Sequence, residues 1–484
     1  MITPLNLTCT ICIVYELVSP VHVNAVLKHL GQVLMAFGCV LAVPVLAALF
    51  FGQIYSAVLY GITASVLIIA GLTLNTLLPG YEIQLKEAVV IAALVFPLTS
   101  LAVSLPMSLS SDMPFIDAFF ESVSALTTTG LSVAPESVTP LFLFIRSWLQ
   151  WIGGIGIIVL VLSVLLGPGT TAFRLYTVNF GQTKIRPGVI STAHQLAKIY
   201  IGITLIAFLI LLVSGMSIFD ALCHALSSVS TGGFSTRSDS IGGFEGILLP
   251  LGVSISCIMG ALSFTLYPEI LKHPMTLIKD QQVRYFILIA SLGIVVFSFT
   301  LSEWRHIPDA AFQVVSALST AGFSTMDISS LSDASKGVLS GLMLIGGSMG
   351  STAGGIKIFR ILVLIKLVKL VFLRLFLPRE TITHLKIQDH VIEHDELNQI
   401  TVFVLLYAII LIVSVFIFMI FGWGTGDAVF EVSSALGTVG LSSGVTGAGM
   451  PAILKLVLCA DMLLGRIEII PLFILAMPGT WINR

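Results

Sequence analysis

The segment DAFFESVSALTTTGLS occupies residues 117–132, and related segments begin at Asp220, Asp309 and Asp427. In each copy a glycine follows the Asp by 13 residues, namely Gly130, Gly233, Gly322 and Gly440. A serine also recurs seven residues after each Asp, namely Ser124, Ser227, Ser316 and Ser434. Four copies at one spacing do not arise by chance, so the chain contains four related units.

Each copy predicts a short helix that ends at a glycine turn. Asp is a favoured N-cap residue, so the Asp-Ala pair is expected to open the helix. A helix of about nine residues is roughly 14 Å long, which is too short to cross a membrane. We therefore expect a re-entrant pore helix whose C-terminal end leads into a Thr-x-Gly turn.

The composition places these units in a membrane protein. Of 484 residues, 56% are hydrophobic and 10% are charged, and the mean hydropathy is +1.05. Soluble domains carry about 25% charged residues, so this chain has too few charges to cover a soluble surface. A large cytosolic enzyme, a disordered chain and an ordinary secreted domain are excluded. The net charge of −2 gives no indication of nucleic-acid binding.

Apolar stretches long enough to cross a bilayer predict about ten spans. They lie near residues 30–50, 55–78, 86–106, 141–166, 196–216, 247–271, 284–302, 337–375, 398–422 and 452–477. The stretch 337–375 is too long for one helix and contains GGSMGSTAGG at residues 346–355, which predicts a broken helix. Irregular backbone at membrane depth survives only against protein or a water-filled path.

Basic residues predict the orientation of these spans. They cluster in loops on one side of the predicted membrane, around Arg174–Lys198, Lys272–Arg284 and Lys366–Lys386. The positive-inside rule therefore places both termini in the cytoplasm. Residues 1–28 are predicted to be a cytoplasmic segment.

Two spans separate successive copies, so all four copies point the same way across the membrane. The fold predicted is an all-α polytopic membrane protein with four parallel M1–pore helix–M2 repeats around a central pore, preceded by two extra N-terminal transmembrane helices. The predicted boundaries are 29–80 for the extra helices and 86–167, 192–272, 282–376 and 397–484 for repeats 1 to 4. Carbonyl groups at the four turns would replace the hydration shell of a cation. The alternative is that these turns merely connect packed helices.

Further motifs carry a family resemblance. They are the four repeated segments, RSWLQWIGGIG at 146–156, GSTAGGIK at 350–357 and LGRIE at 464–468. The chain after about residue 28 resembles the Trk/Ktr/HKT superfamily of potassium transporters, especially its TrkH branch. The resemblance implies potassium uptake through a selectivity filter, and glycine at the key filter position goes with potassium rather than sodium.

The resemblance assigns the following residues to the filter: Thr127, Thr128, Thr129, Gly130, Ser230, Thr231, Gly232, Gly233, Ser319, Thr320, Ala321, Gly322, Gly437, Thr438, Val439 and Gly440. The fourth copy has Gly437 where the others have a hydroxyl, so we expect a filter that is not four-fold equivalent.

The resemblance also implies an intramembrane gating loop below the filter. Its predicted residues are Gly346, Gly347, Ser348, Gly350, Ser351, Thr352, Gly354, Gly355 and Lys357. A loop of small residues is expected to have few contacts and to move at low cost. Arg466 matches a family arginine and would oppose a cation in the closed pore, since a buried charge is usually functional. Pairing of Arg466 with Glu468 or with a carbonyl is the alternative, and Arg146 and Lys357 are open to a packing role.

By resemblance we expect a homodimer in the plasma membrane, the inner membrane of a prokaryotic cell, with a cytosolic TrkA-like ring of nucleotide-binding regulatory subunits. The loops around Arg174–Lys198 and Arg374–Lys386 are the expected docking face. Membrane lipid is the surrounding partner, potassium is the permeant ion, and no cofactor is expected.

Two other functions stay open. A secondary active transporter would need acidic residues at mid-membrane, for which Glu121, Glu431 and Asp461 are the candidates. A membrane-embedded enzyme would use Ser348 of a G-x-S-x-G motif, or His390 and His394 of an H-x-x-E-H motif. The first motif lies within a predicted span and the second in a short charged loop, so neither has the context that its chemistry needs.

Overall fold

The computed structural model describes residues 20–80, 84–135, 138–165, 189–246, 248–301, 307–378, 385–387 and 390–481. Most of the predicted N-terminal segment and the basic residues from Arg174 to Arg186 lie outside these ranges. The described chain is almost entirely helical, apart from a two-residue hairpin in which β1 (Lys386–Ile387) pairs antiparallel with β2 (His390–Val391).

Three helices precede the first repeat: α1 (Val23–Val40), α2 (Ala42–Phe50) and α3 (Ile54–Leu77). Repeat 1 contains α4 (Leu85–Ser111), α5 (Phe115–Leu126) and α6 (Pro140–Leu165). Repeat 2 contains α7 (Val189–Val213), α8 (Ile218–Val229) and α9 (Leu248–Ala261), followed by the short helices α10 (Tyr267–Lys272) and α11 (Thr276–Lys279).

Repeat 3 contains α12 (Gln281–Thr300), α13 (Ile307–Leu318) and a final helix in two pieces, α14 (Asp333–Ile345) and α15 (Ile358–Arg374). Repeat 4 contains α16 (His394–Ile420), α17 (Thr425–Leu436), α18 (Ala452–Ile467) and α19 (Ile470–Ala476). The predicted order of an outer helix, a short helix and an inner helix therefore recurs four times.

Six helices of the described chain are long and apolar enough to cross a membrane. They are Val23–Phe50 (α1 and α2 taken together), Ile54–Leu77, Lys86–Ser111, Ala193–Val213, Gln281–Thr300 and His394–Ile420. In the apolar 18-residue stretch of each, only 28–44% of the residues are buried inside the protein. An apolar helix that buries so little of its surface against protein needs hydrocarbon around the rest.

The repeats close into a ring. The inner helix of each repeat packs against the short helix of the next, so that α6 contacts α8, α9 contacts α13, α14 contacts α17, and α18 contacts α5. The short helices are almost wholly buried along their lengths. This arrangement confirms the all-α fold with four parallel repeats around one centre.

The predicted starts of the short helices were wrong. Each of the four helices is 12 residues long and begins two residues before its Asp, which occupies the first turn rather than the N-cap. In repeat 2 the cap is Ser217, whose hydroxyl accepts the backbone N–H of Asp220 at 3.1 Å. A carboxylate in the first turn still stabilises the positive end of the helix dipole.

The predicted helix break in repeat 3 is present, since α14 ends at Ile345 and α15 begins at Ile358. Hydropathy predicted unbroken spans over 247–271 and 452–477, and there it was wrong. The end of α9 is explained by the carbonyl of Ala261, which accepts the N–H of Ser348 at 3.0 Å. The inner helix of repeat 4 breaks at Glu468 and Ile469, whose φ angles of +67° and +48° are left-handed.

Candidate functional site

The four short helices end in one shared backbone conformation. The threonine after each helix has a left-handed φ of 49–55°, at Thr128, Thr231, Thr320 and Thr438. The N–H of the next residue bonds back to the carbonyl of the recurrent serine at 2.7–2.9 Å. Non-glycine residues seldom adopt this φ without a fixing interaction, so the ends of all four helices are held the same way.

The four predicted filter glycines form a closed ring. Each has a positive φ, from +72° at Gly322 to +98° at Gly440. A Cβ added to Gly130, Gly233, Gly322 or Gly440 would collide with a backbone carbonyl of the adjacent repeat. The carbonyls concerned are, in the same order, those of Gly232, Ala321, Val439 and Thr129. The contacts therefore run from repeat 1 to 2, 3, 4 and back to 1.

The absence of a hydroxyl at Gly437 does not change the backbone of the fourth copy. The corresponding hydroxyls donate to carbonyls of their own helices, as Thr127 does to Val123 at 2.7 Å and Ser230 does to Ser227 at 3.0 Å. Gly437 has the same helical φ as these residues. A Cβ there would approach the carbonyl of Met343 to 2.8 Å, which explains the glycine.

A second recurring hydrogen bond holds the segment after each glycine. The residue four positions after the Asp bonds to the serine 15 positions after it, and we call this contact the post-filter bond. The four pairs are Glu121–Ser132 at 2.7 Å, His224–Ser235 at 2.9 Å, Gln313–Ser324 at 2.7 Å and Glu431–Ser442 at 2.7 Å. These pairs are not evident from the sequence, because the first partner changes residue type even though the spacing is constant.

Ion pairs that are wholly or partly buried connect neighbouring repeats. Lys455 on α18 bonds to Asp117 of repeat 1 at 2.5 Å, and Lys336 on α14 bonds to Asp427 of repeat 4 at 2.8 Å. Arg146 on α6 lies 3.5 Å from Glu121 and stacks over the ring of Phe234 in repeat 2, with 4.4 Å to its centroid. Arg146 therefore joins two repeats, which supports a packing role.

The predicted gating loop is tightly held, contrary to the expectation of few contacts. The hydroxyl of Thr352 bonds to the carbonyls of Val229 and Gly260, each at 2.9 Å. The N–H of Gly354 bonds to the Thr320 hydroxyl at 2.9 Å, which ties the loop to the third filter segment.

Glycines let this loop fold back on itself. A Cβ on Gly346 would collide with the carbonyl of Gly354, and Gly355 packs directly against Gly346. The other predicted loop residues make local contacts: Ser351 bonds to the Ser348 carbonyl at 2.6 Å, and the Gly350 carbonyl accepts the N–H of Phe264 at 3.0 Å. The N–H of Ile358 bonds to the Gly347 carbonyl at 3.0 Å. The predicted loop residues are thus brought together in one compact turn.

Arg466 reaches from α18 to this loop. Its guanidinium donates to the carbonyl of Thr352 at 2.6 Å and to that of Gly153 on α6 at 3.1 Å. The side chain is buried, so its charge is neutralised by carbonyl dipoles rather than by an acid. Arg466 is therefore paired with carbonyl groups and not with Glu468, because Glu468 bonds to Arg360 at 2.7 Å.

Lys357 lies at the start of α15 and 3.9 Å from Glu468. Glu468 therefore lies between Lys357 and Arg360 and links the helix break of repeat 4 to the second helix piece of repeat 3. The Arg360 guanidinium also lies over the Phe403 ring of α16, 4.1 Å from its centroid. These contacts give Lys357 a structural role at the inner end of the loop.

The enzyme motifs gain no support from the geometry. His390 lies in β2 and His394 begins α16. Within the described ranges, no group of three His, Cys, Asp or Glu residues could hold a metal ion. The Ser348 hydroxyl is buried and has no hydrogen-bond partner in the described chain, so no base activates it there.

Known proteins share this sequence and architecture. The model of the TrkH family, described as cation transport proteins, matches residues 55–481. The potassium uptake protein TrkH of Halomonas elongata is 32% identical over 94% of this chain and 98% of that protein. An uncharacterized cation transporter of Methanocaldococcus jannaschii is 31% identical over 94% of this chain and 95% of its own length.

A solved structure agrees. The crystal structure of the potassium transporter TrkH from Vibrio parahaemolyticus superposes with a TM-score of 0.85 at 29% identity, covering 96% of this chain and all of the other. The chain belongs to the TrkH family of cation transport proteins.

Proposed function

We propose that this protein is the ion-conducting subunit of a potassium uptake system. The observation that carries the proposal is the closed ring of four filter glycines, each packed against a carbonyl of the adjacent repeat. The relatives in Halomonas elongata and Escherichia coli are named Trk system potassium uptake proteins, and the family membership supports the same function here.

Backbone oxygens supply the chemistry in this proposal. Carbonyls of the four segments replace the water around a dehydrated potassium ion. The C-terminal ends of α5, α8, α13 and α17 precede the ring, and a helix C-terminus carries about half a negative charge. The left-handed threonines, the hydrogen bonds back to the recurrent serines and the glycine turns fix this backbone, so the oxygens are placed before the ion arrives.

The gate in this proposal is the loop 346–355 together with Arg466. The loop crosses beneath the filter, where Gly354 contacts Thr320 and lies against Gly437. Arg466 holds it from the side and adds a positive charge that repels a cation. Opening requires that the bonds of Thr352 and Arg466 break together, which makes the gate dependent on an external input.

That input comes from a cytosolic regulatory partner, in keeping with the Trk system names of the relatives. The chain is a multi-pass membrane protein, and we place it in the inner membrane of a prokaryotic cell with both termini in the cytoplasm. The homodimer and the TrkA-like nucleotide-binding ring belong to this proposal, with docking on the basic segments Arg174–Lys198 and Arg374–Lys386.

A proton-coupled transporter is the second candidate, and one observation favours it. Asp461 on α18 is buried; one carboxylate oxygen accepts the Ser414 hydroxyl at 2.8 Å, and the other has no hydrogen-bond partner in the described chain. A carboxyl in such a site is able to carry a proton.

The substitution Gly130→Ser tests the potassium proposal. A side chain there would collide with the Gly232 carbonyl and displace one ligand oxygen, so the preference for potassium over sodium should fall. Uptake of the two ions into liposomes should show sodium entry rising relative to potassium. The matched control is Gly61→Ser, at a site where an added Cβ meets open space. An unchanged ion ratio in Gly130→Ser would contradict the proposal.

A further inference from the structure

One side chain of repeat 1 enters the filter region of repeat 2. Gln150 on α6 is fully buried, and its amide N–H donates to the carbonyl of Gly232. Its amide oxygen accepts the Ser227 hydroxyl at 2.7 Å and the N–H of Phe234 at 3.4 Å. A single amide therefore contacts the short helix α8 and the filter segment on both sides of Gly233.

Repeats 2 and 4 have no such side chain at the equivalent place. Gly153, Gly260 and Gly465 occupy equivalent places, because an added Cβ on each would collide with the carbonyl of the last or penultimate residue of the preceding short helix. Three residues before them stand Gln150, Cys257 and Met462, so the amide is present in repeat 1 and absent from repeats 2 and 4.

The hydrogen-bond partner of the recurrent serine differs in repeat 2 because of Gln150. In repeats 1 and 3, Ser124 and Ser316 donate directly to the filter backbone, at the carbonyls of Leu131 and Phe323, both at 2.6 Å. In repeat 2 the hydroxyl of Ser227 points instead to Gln150. Gln150 thus takes over a contact that the serine makes elsewhere.

The sequence of the second filter segment matches this arrangement. Position 232 is glycine, whereas the other copies have Thr129, Ala321 and Val439. A Cβ at Gly232 would overlap the carboxamide of Gln150. The double glycine of repeat 2 and the glutamine of repeat 1 are therefore complementary parts of one contact.

Gln150 cannot easily withdraw from this position. The next residue, Trp151, has its carbonyl bonded to the Tyr200 hydroxyl at 3.1 Å and its indole N–H bonded to Thr204 at 3.0 Å. These bonds fix α6 against α7. Displacing a buried amide that is hydrogen-bonded through both its nitrogen and its oxygen costs free energy.

We propose that Gln150 is a positioning residue that fixes the Gly232 carbonyl and sets the contribution of repeat 2 to ion selectivity. This inference rests on the proposed potassium function. The amide donor restrains an oxygen that would otherwise be free to follow the ion, so the filter is asymmetric at this level. Loss of the donor frees the second segment and lowers the discrimination between potassium and sodium.

Two single variants and one double variant test the contact in the full-length protein reconstituted in liposomes. Gly232→Ala should reduce the potassium-to-sodium flux ratio by about tenfold, because the methyl group displaces Gln150. Gln150→Cys, the residue found at the equivalent place in repeat 2, should also lower that ratio. Combining the two should recover part of the ratio lost in Gly232→Ala, because the smaller side chain makes room for the methyl group.

Gln150→Glu separates positioning from packing, because it keeps the size and loses the donor. It should lower the ratio and change the KM for potassium more than the maximal rate. A wild-type flux ratio in Gly232→Ala would overturn the inference. A double variant whose flux ratio is no higher than that of Gly232→Ala alone would also overturn it. Wild-type protein measured in parallel tests the proposed function by itself. Thermal unfolding in detergent is measured for the wild type, Gly232→Ala, Gln150→Cys and the double variant. The changes in unfolding temperature must be non-additive in the same way as the flux ratios, even if flux is absent.

Discussion

Replacing Thr352 by valine removes one hydroxyl from the centre of the intramembrane loop. That hydroxyl shares its proton between the carbonyls of Val229 and Gly260, each 2.9 Å away, and Thr352 has no exposed surface. A buried hydrogen bond of this kind contributes about 0.5–1.5 kcal/mol, and the Val229 carbonyl left without this donor raises the loss to about 1–3 kcal/mol. The Gly260 carbonyl still accepts the backbone N–H of residue 352 at 3.3 Å. Valine has nearly the same shape, so the change is confined to the bond.

The loss falls on the closed loop if the loop is the gate. A destabilisation of about 1–3 kcal/mol shifts the ratio of closed to open loop by a factor of about 5 to 150. Basal rubidium uptake by the purified protein, without any regulatory subunit, should therefore rise by at least fivefold in Thr352→Val. Thr352→Ser keeps the hydroxyl and should behave as the wild type.

Thr401→Val is the matched control, because its hydroxyl bonds to the Leu397 carbonyl on an exposed helix face away from the loop. It should leave basal uptake unchanged. Equal uptake by Thr352→Val and wild type, with both proteins folded in detergent, would refute the assignment of the loop as the gate.

Three further predictions follow from other parts of the site. Gly322→Ala should abolish selective uptake, because the methyl group meets the Val439 carbonyl and alanine at a φ of +72° is strained by about 1–2 kcal/mol. The control Gly422→Ala has a φ of +92° but lies in open space, so it carries only the backbone strain and should still transport. Lys455→Met should lower the unfolding temperature in detergent, because it leaves the largely buried Asp117 without its ion-pair partner, and breaking such a pair costs about 3–5 kcal/mol. An unchanged unfolding temperature would show that the pair is not stabilising. Asp461→Asn should leave potassium uptake unchanged with and without a proton gradient, because an amide can still bond to the Ser414 hydroxyl; loss of gradient-driven uptake would favour the proton-coupled alternative.

The spacing of the repeated segments predicted the architecture because symmetry leaves its mark in sequence. The distance from Asp to Gly fixes where each short helix ends relative to the ring, and all four copies keep that distance. The helix starts were mispredicted because an Asp in the first turn and an Asp at the N-cap look alike in a sequence. Only the backbone shows that the cap of α8 is Ser217.

Contacts between segments that are distant in the chain could not be predicted from the sequence. The end of α9 is set by a loop that lies almost 90 residues further on, through the bond from Ser348 to Ala261. Hydropathy continues past that point, so it predicts one long span. Likewise, Gln150 and Gly232 are 82 residues apart, and neither residue type alone indicates the other. The loop was expected to be loosely held because small side chains suggest few contacts, but its backbone groups and the hydroxyls of Ser351 and Thr352 make hydrogen bonds.

Cation flux into liposomes that contain the purified wild-type protein is the decisive measurement of whether the four-glycine ring selects potassium. Uptake of potassium, rubidium, sodium and lithium is compared, with and without a proton gradient. A potassium filter built from the four-glycine ring should give flux of potassium and rubidium well above that of sodium and lithium, independent of the gradient. Sodium flux equal to potassium flux would contradict the assignment of the four-glycine ring as a potassium filter.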